Sequence, residues 1–184
     1  MLLTTVAFLQ GCWVLAGGAV VSSIVITQDR RTAGTVIDDN VLELNISDRI
    51  AQDEQLRKKV RISVTAMNGV VLLTGEAPTR AMRNDVLTHA RSARQARQVI
   101  NEIQIAPYAG IKTITNDSWL TSRVKTKLLT SKGVTDATRI NVHTASGVVY
   151  LMGLVTRTEA DAATEIARTI KGVAKVVRLF EYVD

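Results

Sequence analysis

The feature that most constrains the fold is an internal repeat: the second half of the chain restates the first half with an offset of 78 residues. The run from Val70 to Gly75 falls on the run from Val148 to Gly153. The same offset pairs further identical or similar residues, Asp39 with Asp117, Leu42 with Leu120, Ile46 with Val124 and Ile50 with Leu128. Two similar halves within a chain of 184 residues predict two copies of one small domain.

Each copy predicts the element order αββαβ and therefore an α+β fold. A helix with apolar residues four apart comes first, then an alternating strand, a tight turn at Asn68-Gly69 or Ser146-Gly147, and a second, almost continuously apolar strand. We expect that second strand to be central in a small mixed sheet and covered on one face. A second helix over residues 79–94 or 159–171 and a last strand over residues 99–105 or 176–183 complete the unit.

These elements divide the chain into a first domain at residues 40–106 and a second domain at residues 116–184. Residues 1–11 are interpreted as a signal peptide and residues 12–39 as a lipidated tether. The stretch 29–39 lacks apolar periodicity and carries small polar residues, a composition typical of a linker.

The run from Met1 to Gln28 contains no charged residue, and the tetrapeptide Leu9-Gln10-Gly11-Cys12 within it resembles the lipobox of bacterial lipoproteins. The resemblance implies that the Cys12 thiol is acylated and becomes the first mature residue. Trp13 then follows in place of an aspartate, which implies the outer membrane and its periplasmic face. An uncleaved membrane-spanning helix and a small buried cysteine remain open as alternatives. Because no Lys or Arg precedes the apolar stretch, we expect the natural start to lie upstream of Met1.

The first helix of the second unit is the candidate binding surface. Its predicted span is residues 116–129, capped by Asn116 or Asp117, and three leucine or valine side chains form a stripe facing the core. About 100° round the helix, Trp119, Arg123 and Lys127 line up as an aromatic ring followed by two cations. This pattern is typical of a surface that contacts an anionic membrane, and burial of Trp119 in the core is the alternative.

The predicted phospholipid-binding set is therefore Trp119, Leu120, Arg123 and Lys127, with Leu154 added as a loop residue expected near this helix. The formal net charge of +6 favours anionic partners, but each unit has ten Lys or Arg and seven Asp or Glu. Total charge therefore does not distinguish the units, whereas the placement of residues does. Where the second unit has Trp119, Arg123 and Lys127, the first has Val41, Asn45 and Arg49.

The repeat resembles the BON domain, and a lipobox, a tether and two such units are similar to the dual-BON outer-membrane lipoproteins of Gram-negative bacteria. The most specific residues are the runs 116–119, 125–130 and 148–156 and the pair Gly172-Val173. The resemblance implies binding of anionic phospholipid, chiefly by the second unit, in support of outer-membrane integrity. The first unit departs at Gln95-Ala96, where the second has Gly172-Val173, and at Val41. We therefore expect lipid binding by the second unit alone.

Other classes of function have little support in the sequence. The single cysteine and the two histidines, His89 and His143, offer neither a nucleophile paired with a base nor a cysteine-rich metal site. We expect no enzyme activity, no small-molecule substrate and no cofactor apart from covalent lipid on Cys12. Aromatic residues make up 4% of the chain and are not interleaved with basic ones, so nucleic acid is not an expected partner. The competing hypothesis is a periplasmic adaptor that binds another envelope protein.

Overall fold

A computed structural model describes residues 31–107, 110–131, 134 and 136–184. The first unit comprises α1 (Ala33–Gln52), β1 (Arg61–Met67), β2 (Val70–Ala77), α2 (Arg80–Arg91) and β3 (Gln98–Ile105). The second comprises α3 (Ile111–Thr130), a short 3-10 turn (Ala137–Arg139), β4 (Ile140–Ala145), β5 (Val148–Val155), α4 (Arg157–Arg168) and β6 (Lys175–Tyr182). The predicted α+β fold with two αββαβ units is confirmed. The signal peptide at 1–11 and the lipidation site Cys12 lie outside the described residues.

Each unit contains a three-stranded mixed sheet, and the second strand of the unit is central. The strand orders are β1-β2-β3 and β4-β5-β6, with an antiparallel first pair and a parallel second pair in both sheets. Ile62 lies opposite Gly75 in the first unit, and Ile140 lies opposite Gly153 at the same place in the second. The two copies therefore share one register as well as one element order.

The central strands are covered on both faces, so the expectation of a single covered face was wrong. One face of β2 packs on the helices through Val71 and Leu73, and β5 does the same through Val149 and Leu151. The opposite faces pack on each other, with Met67 and Leu72 of the first unit against the second unit. The other fully buried members of this contact are Tyr150 and Met152. The molecule thus has four layers, with helices outside and two sheets between them.

Both long helices begin earlier than the sequence predicted. Helix α1 begins at Ala33, where the Thr32 hydroxyl accepts a hydrogen bond from the Thr35 N–H at 3.1 Å. Residues 33–39 are therefore helical and are not part of an extended tether. Helix α3 begins at Ile111 after Gly110, which provides no side-chain cap. Among the described residues, no helix has the length and apolar character needed to cross a bilayer.

Asp117, one of the two residues expected to cap α3, instead binds the hairpin of its sheet. Asp117 is buried within the helix, and its two oxygens accept hydrogen bonds from the N–H groups of Ser146 and Gly147, both at 2.8 Å. Both turn residues have positive φ, 50° and 77°, as the central residues of a tight two-residue hairpin turn do. Asp39 does the same for the Asn68-Gly69 turn, at 2.7 and 2.8 Å. One carboxylate per unit thus joins the long helix to the hairpin.

Hydrogen bonds between the units surround the apolar contact of the two sheets. The His143 Nε2 atom lies 2.7 Å from the Thr74 hydroxyl, and the Tyr150 hydroxyl donates to Glu102 at 3.2 Å. Burial lowers the pKa of His143; Asp117 opposes that shift, and Lys125 adds to it. Burial and the neighbouring Glu102 carboxylate raise the pKa of Tyr150 well above its usual range. Both groups are therefore neutral at neutral pH, as a contact between two sheets requires.

Acid should weaken this contact through His143. Because its native pKa lies below the unfolded value of 6.5, the unfolded chain binds more protons, and stability falls as pH drops from about 6.5 through the native pKa. We expect His143→Gln to remove that part of the pH dependence, measured by urea unfolding between about pH 7.5 and about pH 5. Thr74→Val is the control, since it removes the hydrogen bond but keeps the titrating ring. Equal pH dependence in the wild type and His143→Gln would contradict the assignment.

Candidate functional site

Helix α3 has one face in the core and one in solvent, as the sequence predicted. Leu120, Val124 and Leu128 are buried against the sheet of the second unit. Leu120, which was included in the phospholipid-binding set, has no exposed surface. Its place in that set was wrong, because i, i+4 spacing with Val124 turns it toward the core. The candidate surface consists of the residues on the opposite side of the helix.

Trp119 lies on that solvent face with 47% of its surface exposed, so the alternative of a buried indole does not apply. The Arg123 guanidinium carbon lies 5.1 Å from the centre of the Trp119 ring, a cation-π distance. This contact holds the ring and the cation together one helical turn apart. The result is an amphipathic pair whose apolar part and positive charge face the same direction.

Lys127 continues this surface by one further turn. It lines a shallow depression of about 260 Å³ together with Trp119 and Arg123, and the other lining residues are Ser122, Thr126, Thr130 and Ile170. Within the described ranges, no carboxylate lies at ion-pair distance from Arg123 or Lys127. The two positive charges are therefore available to an external anion.

Two residues on the other flank of α3 belong to this surface and were missed in the sequence. Leu129 has 65% of its surface exposed, and Lys125 is exposed one turn before it. At about 100° per residue, both lie on the side of Trp119 away from Arg123 and Lys127. The apolar centre of the face therefore has cations on both sides. The sequence signal that could have revealed this part of the surface is Leu129, a leucine outside the i, i+4 stripe that faces the core.

Leu154 is not beside this helix, so its expected loop position was wrong. It lies inside β5, paired with Glu181 of β6, because the strand continues past Gly153 to Val155. Half-buried, it borders a small crevice with Met67 and Asn68 of the first unit. Leu154 therefore belongs to the contact between the two units.

The equivalent face of the first unit has a different chemistry. Val41 occupies the position of Trp119 and Asn45 that of Arg123. Arg49, which corresponds to Lys127, donates a hydrogen bond to the Ser92 hydroxyl at 2.8 Å. The first unit thus lacks both the ring and the pair of available cations. In the part of the chain that the structure describes, no group of His, Cys, Asp and Glu side chains is arranged to hold a metal ion.

Known proteins are similar to this chain in sequence along its whole length. The family profile described as "BON domain" matches residues 38–107 and 116–184. "Outer membrane lipoprotein DolP" of Haemophilus influenzae is 37% identical over 186 residues, which span 100% of this chain and 95% of that protein. "21 kDa hemolysin" of Actinobacillus pleuropneumoniae is 41% identical over 156 residues, spanning 85% of this chain and 80% of that protein. Among solved structures, the C-terminal domain of CdsD from the Chlamydia trachomatis type III secretion system matches with a TM-score of 0.32 and 12% identity, over 78% of this chain and 98% of that one.

Proposed function

Because this chain belongs to the BON domain family and carries two copies of the domain, we propose that it is an outer-membrane lipoprotein whose second domain binds anionic phospholipid. The similarity to the Haemophilus influenzae outer membrane lipoprotein spans the whole chain, which supports the same membrane for this protein. In this proposal Cys12 carries the lipid anchor, the folded domains face the periplasm, and the protein supports outer-membrane integrity without enzyme activity or cofactor.

The exposed Trp119 ring beneath the Arg123 guanidinium is the observation that carries the lipid proposal. Tryptophan prefers the boundary between lipid head groups and acyl chains, because its ring is apolar and its N–H is polar. Each exposed cation near an anionic bilayer contributes about 1 kcal/mol, so Arg123, Lys125 and Lys127 together supply about 3 kcal/mol. This attraction is modest. It is sufficient because an anchored chain holds α3 at high local concentration beside the membrane.

The proposal predicts that Trp119 contacts lipid when the full chain sits in anionic vesicles. The chain has two tryptophans, and Trp13→Phe leaves Trp119 as the only one. The purified chain is checked by mass spectrometry for acyl groups on Cys12 and reconstituted with brominated lipids, which quench indole fluorescence on contact. We expect quenching in phosphatidylglycerol vesicles, little in phosphatidylcholine vesicles, and loss of the difference at high salt. Lys127→Glu should lower the docking equilibrium about 30-fold, since one attraction becomes one repulsion.

The internal repeat provides a matched control. Val41→Trp, with both natural tryptophans replaced by Phe, places the same reporter at the equivalent position of the first unit. We expect that ring to remain unquenched in anionic vesicles. Equal quenching at the two positions, or equal quenching of Trp119 by both lipids, would contradict specific docking by the second unit. An unquenched Trp119 in every vesicle would favour the adaptor hypothesis instead.

A further inference from the structure

The outward face of α1 is an apolar stripe with an acidic border. Ile37, Val41 and Leu44 follow one another at helical spacing, with 58%, 41% and 64% of their surfaces exposed. All three belong to the exposed large apolar side chains of the part of the chain that the structure describes. Asp38 and Asp48 are exposed on the same side of the helix, and neither is ion-paired within the described residues. Three large apolar side chains on one exposed helix face indicate a docking surface.

The charge on this stripe selects the kind of partner. Two carboxylates beside the apolar side chains repel an anionic bilayer, so the stripe suits an apolar surface bordered by cations. The outward face of α3 has that composition, with Trp119 and Leu129 exposed among Arg123, Lys125 and Lys127. Both helices contain 20 residues, about 30 Å of axis, so their faces match in length as well as in charge.

We propose that the α1 face of one copy of this protein docks on the α3 face of a second copy. The two faces cannot meet within one copy, because α1 and α3 lie on the outer layers with both sheets between them. Contact between different faces is heterologous, so each copy can bind one neighbour with α1 and another with α3, and a row forms.

Anchoring is needed for this association to be appreciable. A single pair of helices buries less than the roughly 1,200 Å² of a standard stable interface, so the contact is weak between free molecules. Copies held on one membrane meet at far higher effective concentration. The α3 face is also the one proposed to bind lipid, and one α3 cannot do both at once. Anionic lipid is therefore expected to compete with the neighbouring copy.

A charge-exchange experiment tests this pairing. Full-length chains labelled at Gln104→Cys, an exposed β3 position away from both faces, are reconstituted at low density in phosphatidylcholine vesicles, and energy transfer between copies is measured. The first variant carries Asp38→Lys with Asp48→Lys, and the second carries Arg123→Glu with Lys127→Glu. We expect transfer between wild-type copies, only the random level within either variant alone, and recovery when the two variants are mixed. Recovery follows because the exchanged faces are again complementary.

Control measurements keep the result interpretable. The Asp38→Lys, Asp48→Lys variant retains an unaltered α3. With Trp13→Phe added, its Trp119 should still be quenched by brominated phosphatidylglycerol, which shows that the variant is folded. Random transfer in the wild type overturns the proposal and leaves the α1 face without a second copy as its partner. A mixture that stays at the random level also overturns it. Adding phosphatidylglycerol to the vesicles should lower energy transfer between wild-type copies. Unchanged energy transfer would show that lipid and the neighbouring copy do not compete for α3, whatever the quenching experiment shows.

Discussion

Gly75→Ala is expected to lower the free energy of unfolding by about 3 kcal/mol or more, a large part of the stability of an ordinary domain. Gly75 has a φ of +114°, a conformation that a residue with a side chain rarely adopts. A Cβ atom built there would lie 1.9 Å from the Arg61 carbonyl oxygen on the neighbouring strand. Neither backbone can move without disturbing the β1-β2 register, in which Gly75 lies opposite Ile62. Urea unfolding of the full chain measures the loss.

Gly110→Ala is the matched control for this substitution. Gly110 precedes α3 with a φ of −70°, and an added Cβ would have nothing within 4 Å. Its free energy of unfolding should stay within about 0.5 kcal/mol of the wild type. If Gly75→Ala and Gly110→Ala unfold at the same urea concentration, the close approach of β1 to Gly75 does not limit this position.

Asp117→Ala is expected to cost about 2 to 4 kcal/mol. The substitution removes the acceptor for the N–H groups of Ser146 and Gly147, and each donor left without a partner costs about 1 to 3 kcal/mol. Asp117→Asn should lose about half as much, because its single carbonyl oxygen can still accept one of the two hydrogen bonds. The equivalent Asp39→Ala should behave similarly in the first unit, with the additional loss of the Arg31 ion pair at 2.7 Å.

Asp161→Ala is the control that distinguishes loss of the hydrogen bonds between Asp117 and the hairpin from the general effect of losing a carboxylate. Asp161 is exposed and pairs with Arg178 at 2.8 Å on the surface, an arrangement that contributes at most about 1 kcal/mol. Urea unfolding of the three second-unit variants should therefore rank Asp117→Ala lowest, then Asp117→Asn, then Asp161→Ala. A loss as small for Asp117→Ala as for Asp161→Ala would show that the hairpin does not depend on α3.

The fold was largely predictable because the repeat doubles every local signal. The turns at Asn68-Gly69 and Ser146-Gly147 lie where their residue types favour positive φ, and the central strands were recognised by their apolar runs. The exposed position of Trp119 beside Arg123 also follows from helical spacing relative to Leu120. Spacing within one element is a local property, and sequence reports such properties well.

Features that depend on distant contacts were not predictable in the same way. The early start of α1 was missed because its first turns bury little, and Ile37 is exposed, so no apolar periodicity marks them. Asp117 was interpreted as a helix cap because its real partners, in a turn about 30 residues away, are not visible in local sequence. Leu154 was placed in a loop because Gly153 resembled a strand end. The apolar runs predicted that β2 and β5 are central, but not that their second faces are buried, because the sheet that covers each one belongs to the other unit.

The face-to-face packing of the two sheets has an evolutionary consequence. Met67 and Leu72 on one side, and Tyr150 and Met152 on the other, leave neither unit with a water-compatible inner surface of its own. We infer from the shared sequence pattern and register that the two units arose by duplication. Each unit is then part of the environment in which mutations of the other are selected. The outer helices were free to diverge, one toward acidic and one toward basic residues. The inner faces had to change together, so exchange of a single unit between relatives succeeds only where the two inner surfaces still match.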